Sequence, residues 1–142
     1  MQKRYEERVD VPATADYSLA ERLDYERRIL EFCVTAHLME VFRGRFDSGE
    51  LTPVSRAGGH AGRRVTVAGY PIATKGTTTS RNERMKFISL EDHTGVLEVV
   101  LFPDVYARFG RHLIESPLAV SGTVMEDETS LTLEADRVEP LR

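Results

Sequence analysis

The chain has 142 residues, 41% hydrophobic and 30% charged, which suits one folded domain with or without an appendage and excludes wholesale disorder. No apolar run approaches the roughly 18 residues that span a membrane, and no apolar stretch follows Lys3 and Arg4 as in a secretory signal. A lone Cys33 and four scattered histidines speak against a disulfide or a structural zinc site, and a net charge of −4 speaks against a uniformly basic nucleic-acid binder.

In chain order, residues 1–17 are polar and read as a tail. Residues 18–47 carry a helical pattern. Ser18 and Glu21 form a capping box, in which serine accepts a backbone N–H one turn in and glutamate reaches back. Leu19, Leu23, Leu30, Val34 and Leu38 then recur on one helical face, widened by Tyr25, Ile29 and Phe32. A short turn, Met39 to Arg43, is expected to end before Gly44. Residues 48–62 hold four glycines and Pro53, which predicts an extended linker.

From residue 63 the pattern changes to strands, giving a barrel domain at 63–142. Strand one is expected over Arg63–Thr74, with Gly69 and Pro71 marking a bend or bulge. Lys75–Arg84 reads as a polar loop and Met85–Glu91 as strand two. A tight turn at Asp92–Gly95 leads to strand three, where Leu97, Val99 and Leu101 face one way. Pro103 opens a helix to about Ile114, with Val105, Phe109 and Leu113 at spacing four. Leu118–Val124 is strand four, Glu126–Thr129 a turn, and Leu131 to Val138 strand five. The order β-β-β-α-β-β in so few residues predicts a mainly β protein. Its fold class is a five-stranded OB-fold Greek-key barrel with an N-terminal helical segment.

An enzyme reading finds little to work with. No nucleophile elbow and no phosphate-binding Gly-Lys-Ser/Thr loop is present. Glu91-Asp92-His93 groups two carboxylates with an imidazole, but reads as a solvated hairpin turn with Asp92 accepting backbone N–H groups. His37 lies on the helical face, while His60 and His112 read as surface residues. No catalytic residue, metal or cofactor is expected.

A binding reading has better material, because the charge is uneven. Residues 63–86 hold six cations against Glu83 alone, whereas residues 91–142 hold eleven carboxylates against four cations. OB barrels bind single strands across strands two and three, flanked by the loops after strands one and four. Lys75, Arg81, Arg84 and Lys86 are candidates for phosphates, with Arg64 as an outer contact. Flat side chains are needed for bases to stack on. Tyr70, Phe87, Phe102 and Tyr106 are the candidates; Phe102, like Phe109, reads better as core, while Tyr70 and Phe87 are more open. The acidic turn at Glu126-Asp127-Glu128 predicts modest affinity on its side.

The stretch from Met85-Lys86-Phe87 through Leu90-Glu91-Asp92-His93-Thr94-Gly95 to Phe102-Pro103-Asp104-Val105-Tyr106 resembles the OB domain of the bacterial DNA polymerase III alpha subunit. That family reads M-x-F-x-x-L-E-D-x-T-G, then a β run and F-P-x-x-Y. Glu21 to Phe32 is similar to the segment preceding that domain, although Glu31 replaces a glycine and Thr35-Ala36-His37-Leu38-Met39 replaces S-G-H-P-L. The resemblance implies a non-catalytic piece, either a fragment or a free-standing relative, of a replicative or error-prone polymerase. Single-stranded DNA is its implied partner, in replication or repair, in the cytoplasm. An alternative is a module that docks a replication protein or a second copy through Leu23, Leu30, Val34 and Leu38. An anticodon-binding domain of a tRNA synthetase is a third, on fold analogy alone.

Overall fold

Residue alternation on the strands decides the architecture. In a computed structural model of the chain, which describes residues 29–30 and 38–142, five strands close into a barrel in the order β1-β2-β3-β5-β4. They are β1 (Arg64–Thr78), β2 (Arg84–Asp92), β3 (Gly95–Leu101), β4 (Leu118–Glu126) and β5 (Leu131–Pro140). Every pairing is antiparallel except β3 with β5, which run parallel over Glu98–Val100 and Thr132–Glu134 and close the barrel. The expected OB-fold order is the one observed.

The inward positions are apolar at every second residue. Val65 and Val67, Ile88 and Leu90, Leu97, Val99 and Leu101, Leu118 and Val120, and Leu133 fill one core. Burying each such side chain contributes about 1.5–3 kcal/mol before the entropy of ordering it. α2 (Pro103–Phe109) starts with proline at its first turn and continues as a 3-10 helix, Gly110–Ile114. Val105, Phe109 and Leu113 lean on the core from this element, as their spacing predicts.

Gly69 is where β1 changes partner. β1 pairs with β4 from Arg64 to Gly69 and with β2 from Tyr70 onward. A Cβ on Gly69 would overlap the Glu91 carbonyl, so only glycine allows the bend. The register then shifts between Pro71 and Ala73. The expected bend and bulge at Gly69 and Pro71 are therefore present.

Four local expectations are corrected. The Lys75–Arg84 loop is instead strand through Thr78 on one side and from Arg84 on the other. The linker at 48–62 is not extended: a 3-10 helix at Val54–His60 sends Val54 and Ala57 into the core. The turn at Met39–Arg43 does not stop before Gly44, because α1 (Arg43–Asp47) follows the 3-10 helix Glu40–Phe42 and includes that glycine. Finally, Asp92 is not solvated but fully buried. The capping box and most of the 18–37 pattern lie outside the described residues.

The described part of the helical segment packs on the outside of the barrel. Met39 and Phe46 join Leu51 of the following segment, the outward-facing Ala68 and Ala119, and Leu141 just past β5's far end in a second apolar cluster. Leu30 and Leu38 remain 62% and 39% exposed.

Candidate nucleic-acid interface

The geometry of the cations follows from how β1 and β2 leave the barrel. Beyond Tyr70, β1 pairs with β2 on one side only among the described strands, and Ile72 to Thr78 are all exposed. The two strands form a ribbon-like arm. Its tip is a built turn: the Thr79 N–H donates to the Glu83 carbonyl (2.9 Å) and the Asn82 N–H to the Thr79 carbonyl (2.9 Å). Thr79 Oγ1 accepts from the backbone N–H groups of Arg81 (3.2 Å) and Glu83 (3.3 Å). Asn82 takes φ 61°, which asparagine tolerates better than most residues.

Lys75, Arg81, Arg84 and Lys86 all lie on this arm, with Glu83 as its one carboxylate. Among the described residues, none of the four makes an ion pair. The register divides them between two faces. Lys75 is opposite Phe87 and shares its outward face, while Lys86 is opposite Gly76 and Arg84 opposite Thr78 on the other face. The Lys86 ammonium lies 5.6 Å from the centroid of the Tyr106 ring on α2, within cation–π range.

The remaining expected site residues fall elsewhere. Arg64 stands on the barrel half of β1, and its guanidinium grips Asp136 with two hydrogen bonds (2.9 and 2.8 Å). Asp136 reaches it from a bulge, because β5 accommodates an extra residue where Ser121 pairs with Arg137 and Gly122 with Ala135. The Arg64 hydrogen bond holds the Asp136 carboxyl below its usual range. Tyr70 packs against the second apolar cluster, and burial pushes its phenol up. Phe87 is half-buried. Phe102, expected in the core, is instead 43% exposed, because it is the N-cap residue between the end of β3 and Pro103.

The acidic turn lies away from the arm. The arm leaves the barrel at the C-terminal end of β3, where Lys86 is opposite Leu101, whereas β5 enters beside Glu98. In that turn Asp127 accepts from the Thr129 and Ser130 backbone N–H groups (2.9 and 2.8 Å), which lowers its pKa.

Asp92 was legible as a turn residue but not as a clamp. It accepts from the Thr94 N–H (2.7 Å) and hydroxyl (2.6 Å), and also from the Val54 N–H (3.0 Å). The last bond ties the 3-10 helix to the β2–β3 turn from 38 residues away in sequence, a separation no local pattern reports. Among the described residues, no cluster of three or more His, Cys, Asp or Glu could hold a metal ion, and no helix is long and apolar enough to cross a membrane.

The closed barrel, its plugging helix and a cationic arm define an OB-fold nucleic-acid-binding architecture. A family model for the OB-fold nucleic acid binding domain matches residues 62–141, and the chain belongs to that family.

Relatives add a second layer. The chain is 38% identical over 118 residues to the error-prone DNA polymerase of Symbiobacterium thermophilum, covering 80% of this chain and 11% of that polymerase. It is 34% identical over 117 residues to DNA polymerase III subunit alpha of Escherichia coli O157:H7, covering 76% of this chain and 10% of that subunit. The chain thus spans about a tenth of the length of these curated relatives. The expected likeness to the polymerase III alpha subunit and its error-prone paralogues is present. Among solved structures, the OBody AM1L10 bound to hen egg-white lysozyme shares the fold, with a TM-score of 0.51 and 14% identity over 66% of this chain and 92% of that one.

Proposed function

We propose that this chain is a non-catalytic module that binds single-stranded DNA with little sequence preference, in replication or repair in the cytoplasm. The observation that carries the reading is the arm: four cations and one carboxylate on a ribbon whose β1 side is exposed from Ile72 to Thr78, with no ion pair to the cations among the described residues. Lys75, Arg81, Arg84 and Lys86 neutralise phosphates, and the hydroxyls of Thr74, Thr77 and Thr78 donate to phosphate oxygens. Aromatic rings beside the arm supply stacking, for which Phe87 is the candidate on the outward face. Arg64 is committed to Asp136 and Tyr70 to the second cluster, so neither leads in this reading.

The test is anisotropy of a labelled oligothymidylate titrated with the chain at low and high salt, with duplex DNA and RNA as competitors. The expected result is binding that weakens with salt and is outcompeted best by unlabelled single-stranded DNA. Preference for RNA would instead favour the anticodon-type reading, and absence of binding would contradict the proposal.

A second reading, a docking or self-association module, draws on the exposed Leu30 and Leu38. Sedimentation across a range of concentrations discriminates, since a concentration-dependent dimer without DNA affinity supports this alternative.

A further inference from the structure

The four cations of the arm differ in how firmly they are held. Lys75, Arg81 and Arg84 are exposed, whereas Lys86 is half-buried. Lys86 leaves β2 on the face that continues into the core, because its neighbour across β3 is the buried Leu101. Its neighbour across β1 is Gly76, which is exposed. A Cβ on Gly76 would stand 3.9 Å from Lys86 Nζ, so the ammonium lies close to a position where β1 has no side chain to cover it.

The ammonium also has a ring to lie against. Lys86 Nζ is 5.6 Å from the centroid of Tyr106. Tyr106 is half-buried and packs against the barrel core with Val105 and Phe109. Its backbone N–H donates to the Phe102 carbonyl (2.9 Å), which sets it in the first turn of α2. Gly110, one turn later, completes the seat. A Cβ there would come within 2.7 and 2.8 Å of Tyr106 Cε1 and Cδ1, closer than a side chain approaches a ring. Gly110 has φ −55°, which any residue adopts, so it is the ring and not the backbone that needs the glycine. The core and Gly110 together fix the surface on which Lys86 lies.

We infer that Tyr106, seated by Gly110, is a positioning residue that holds the Lys86 ammonium ready for a backbone phosphate of the bound strand. The inference rests on the single-strand reading above and names the residue that prepares one of its phosphate contacts. An exposed lysine loses rotamer freedom when it meets a phosphate, whereas one already laid against a ring has lost it beforehand. The ring attracts the ammonium through its quadrupole and leaves the charge intact. An ammonium has three donors, so those turned from the ring remain for phosphate oxygens. Because the contact is to phosphate, it carries no preference among bases.

The test is anisotropy of labelled oligothymidylate and of an abasic strand of equal length, both at low salt. Tyr106→Leu is expected to weaken both strands alike, by about 2- to 10-fold, the ordering cost of one long side chain. Tyr106→Phe keeps the ring and should restore the affinity. Gly110→Ala keeps both residues but displaces the ring, so it should weaken both strands as well. In a Lys86→Ala background, neither Tyr106→Leu nor Gly110→Ala should cause further loss. The chain has three lysines, Lys3, Lys75 and Lys86, which makes a second readout accessible in the free protein. The ring current should place the Lys86 ε-methylene protons upfield of those of Lys75, and Tyr106→Leu should abolish the displacement. A loss confined to oligothymidylate would make Tyr106 a stacking surface, and a loss undiminished in the Lys86→Ala background would place its role elsewhere. Either result overturns the positioning role and leaves the single-strand reading standing. No binding by the wild type overturns both.

Discussion

Strand β1 belongs to two different environments. From Val65 to Gly69 it is part of a closed barrel, with Val65 and Val67 pointing into the core and Gly69 buried against the Glu91 carbonyl. From Ile72 to Thr78 every residue is exposed, and pairing continues on one side only among the described strands. The hinge between the halves is Gly69 with the bulge that follows it. The lesson is a division of labour. Apolar burial holds the barrel together, while the arm is free to spend its side chains on charge because no core depends on them.

That division can be broken by perturbing each half in turn. The largest effect is expected in the barrel half of β2. Leu90→Ala removes a fully buried side chain and should cost about 3 kcal/mol, within the range for such truncations, measured as a lower midpoint in urea at unchanged slope. An equal midpoint for wild type and variant would mean that the core does not carry the fold. Next comes the clamp at the end of the barrel. Asp92→Ala leaves the Val54 and Thr94 N–H groups without their acceptor and should cost about 2 kcal/mol. Proteolysis should then cut first near residues 51–62, because the 3-10 helix loses its tie to the β2–β3 turn.

How much of this was legible differs between the two halves for the same reason. The barrel announces itself because apolar residues recur at every second inward position, as Leu97, Val99 and Leu101 do beside the exposed Val96 and Glu98 of β3. The arm has no buried face from Ile72 to Thr78, so Lys75-Gly76-Thr77-Thr78 shows no alternation and reads as loop. The glycines of 48–62 signal a linker, yet Val54 and Ala57 join the core, with the Val54 N–H held by Asp92 from 38 residues away. Phe102 was misread because a phenylalanine at the end of an apolar strand resembles its neighbours. What exposes it is the turn into Pro103. The cations, by contrast, were legible as a group, and only their division between two faces required the register.

Smaller effects sharpen the comparison further. Arg81→Ala with Arg84→Ala should leave stability within about 0.5 kcal/mol of the wild type, as exposed substitutions do, read from the urea midpoint. A large loss would mean that the arm is part of the structural core. The smallest effect concerns Asp136. Its folded-state pKa is lowered by Arg64, so the pair's contribution is present above the ordinary aspartate range and is lost as pH falls through the depressed value. Asp136→Asn should therefore be slightly less stable than the wild type at neutral pH and equal to it in acid. A difference that persists in strong acid would assign the pair another role.

The central claim is that the arm meets a polyanion through its cations, and the salt dependence of oligothymidylate affinity reads it directly. Plotting log K against log salt for the wild type and for Arg81→Ala with Arg84→Ala should show the variant's slope shallower by about 1.4, two contacts at roughly 0.7 each. Parallel lines for the two proteins would contradict the account.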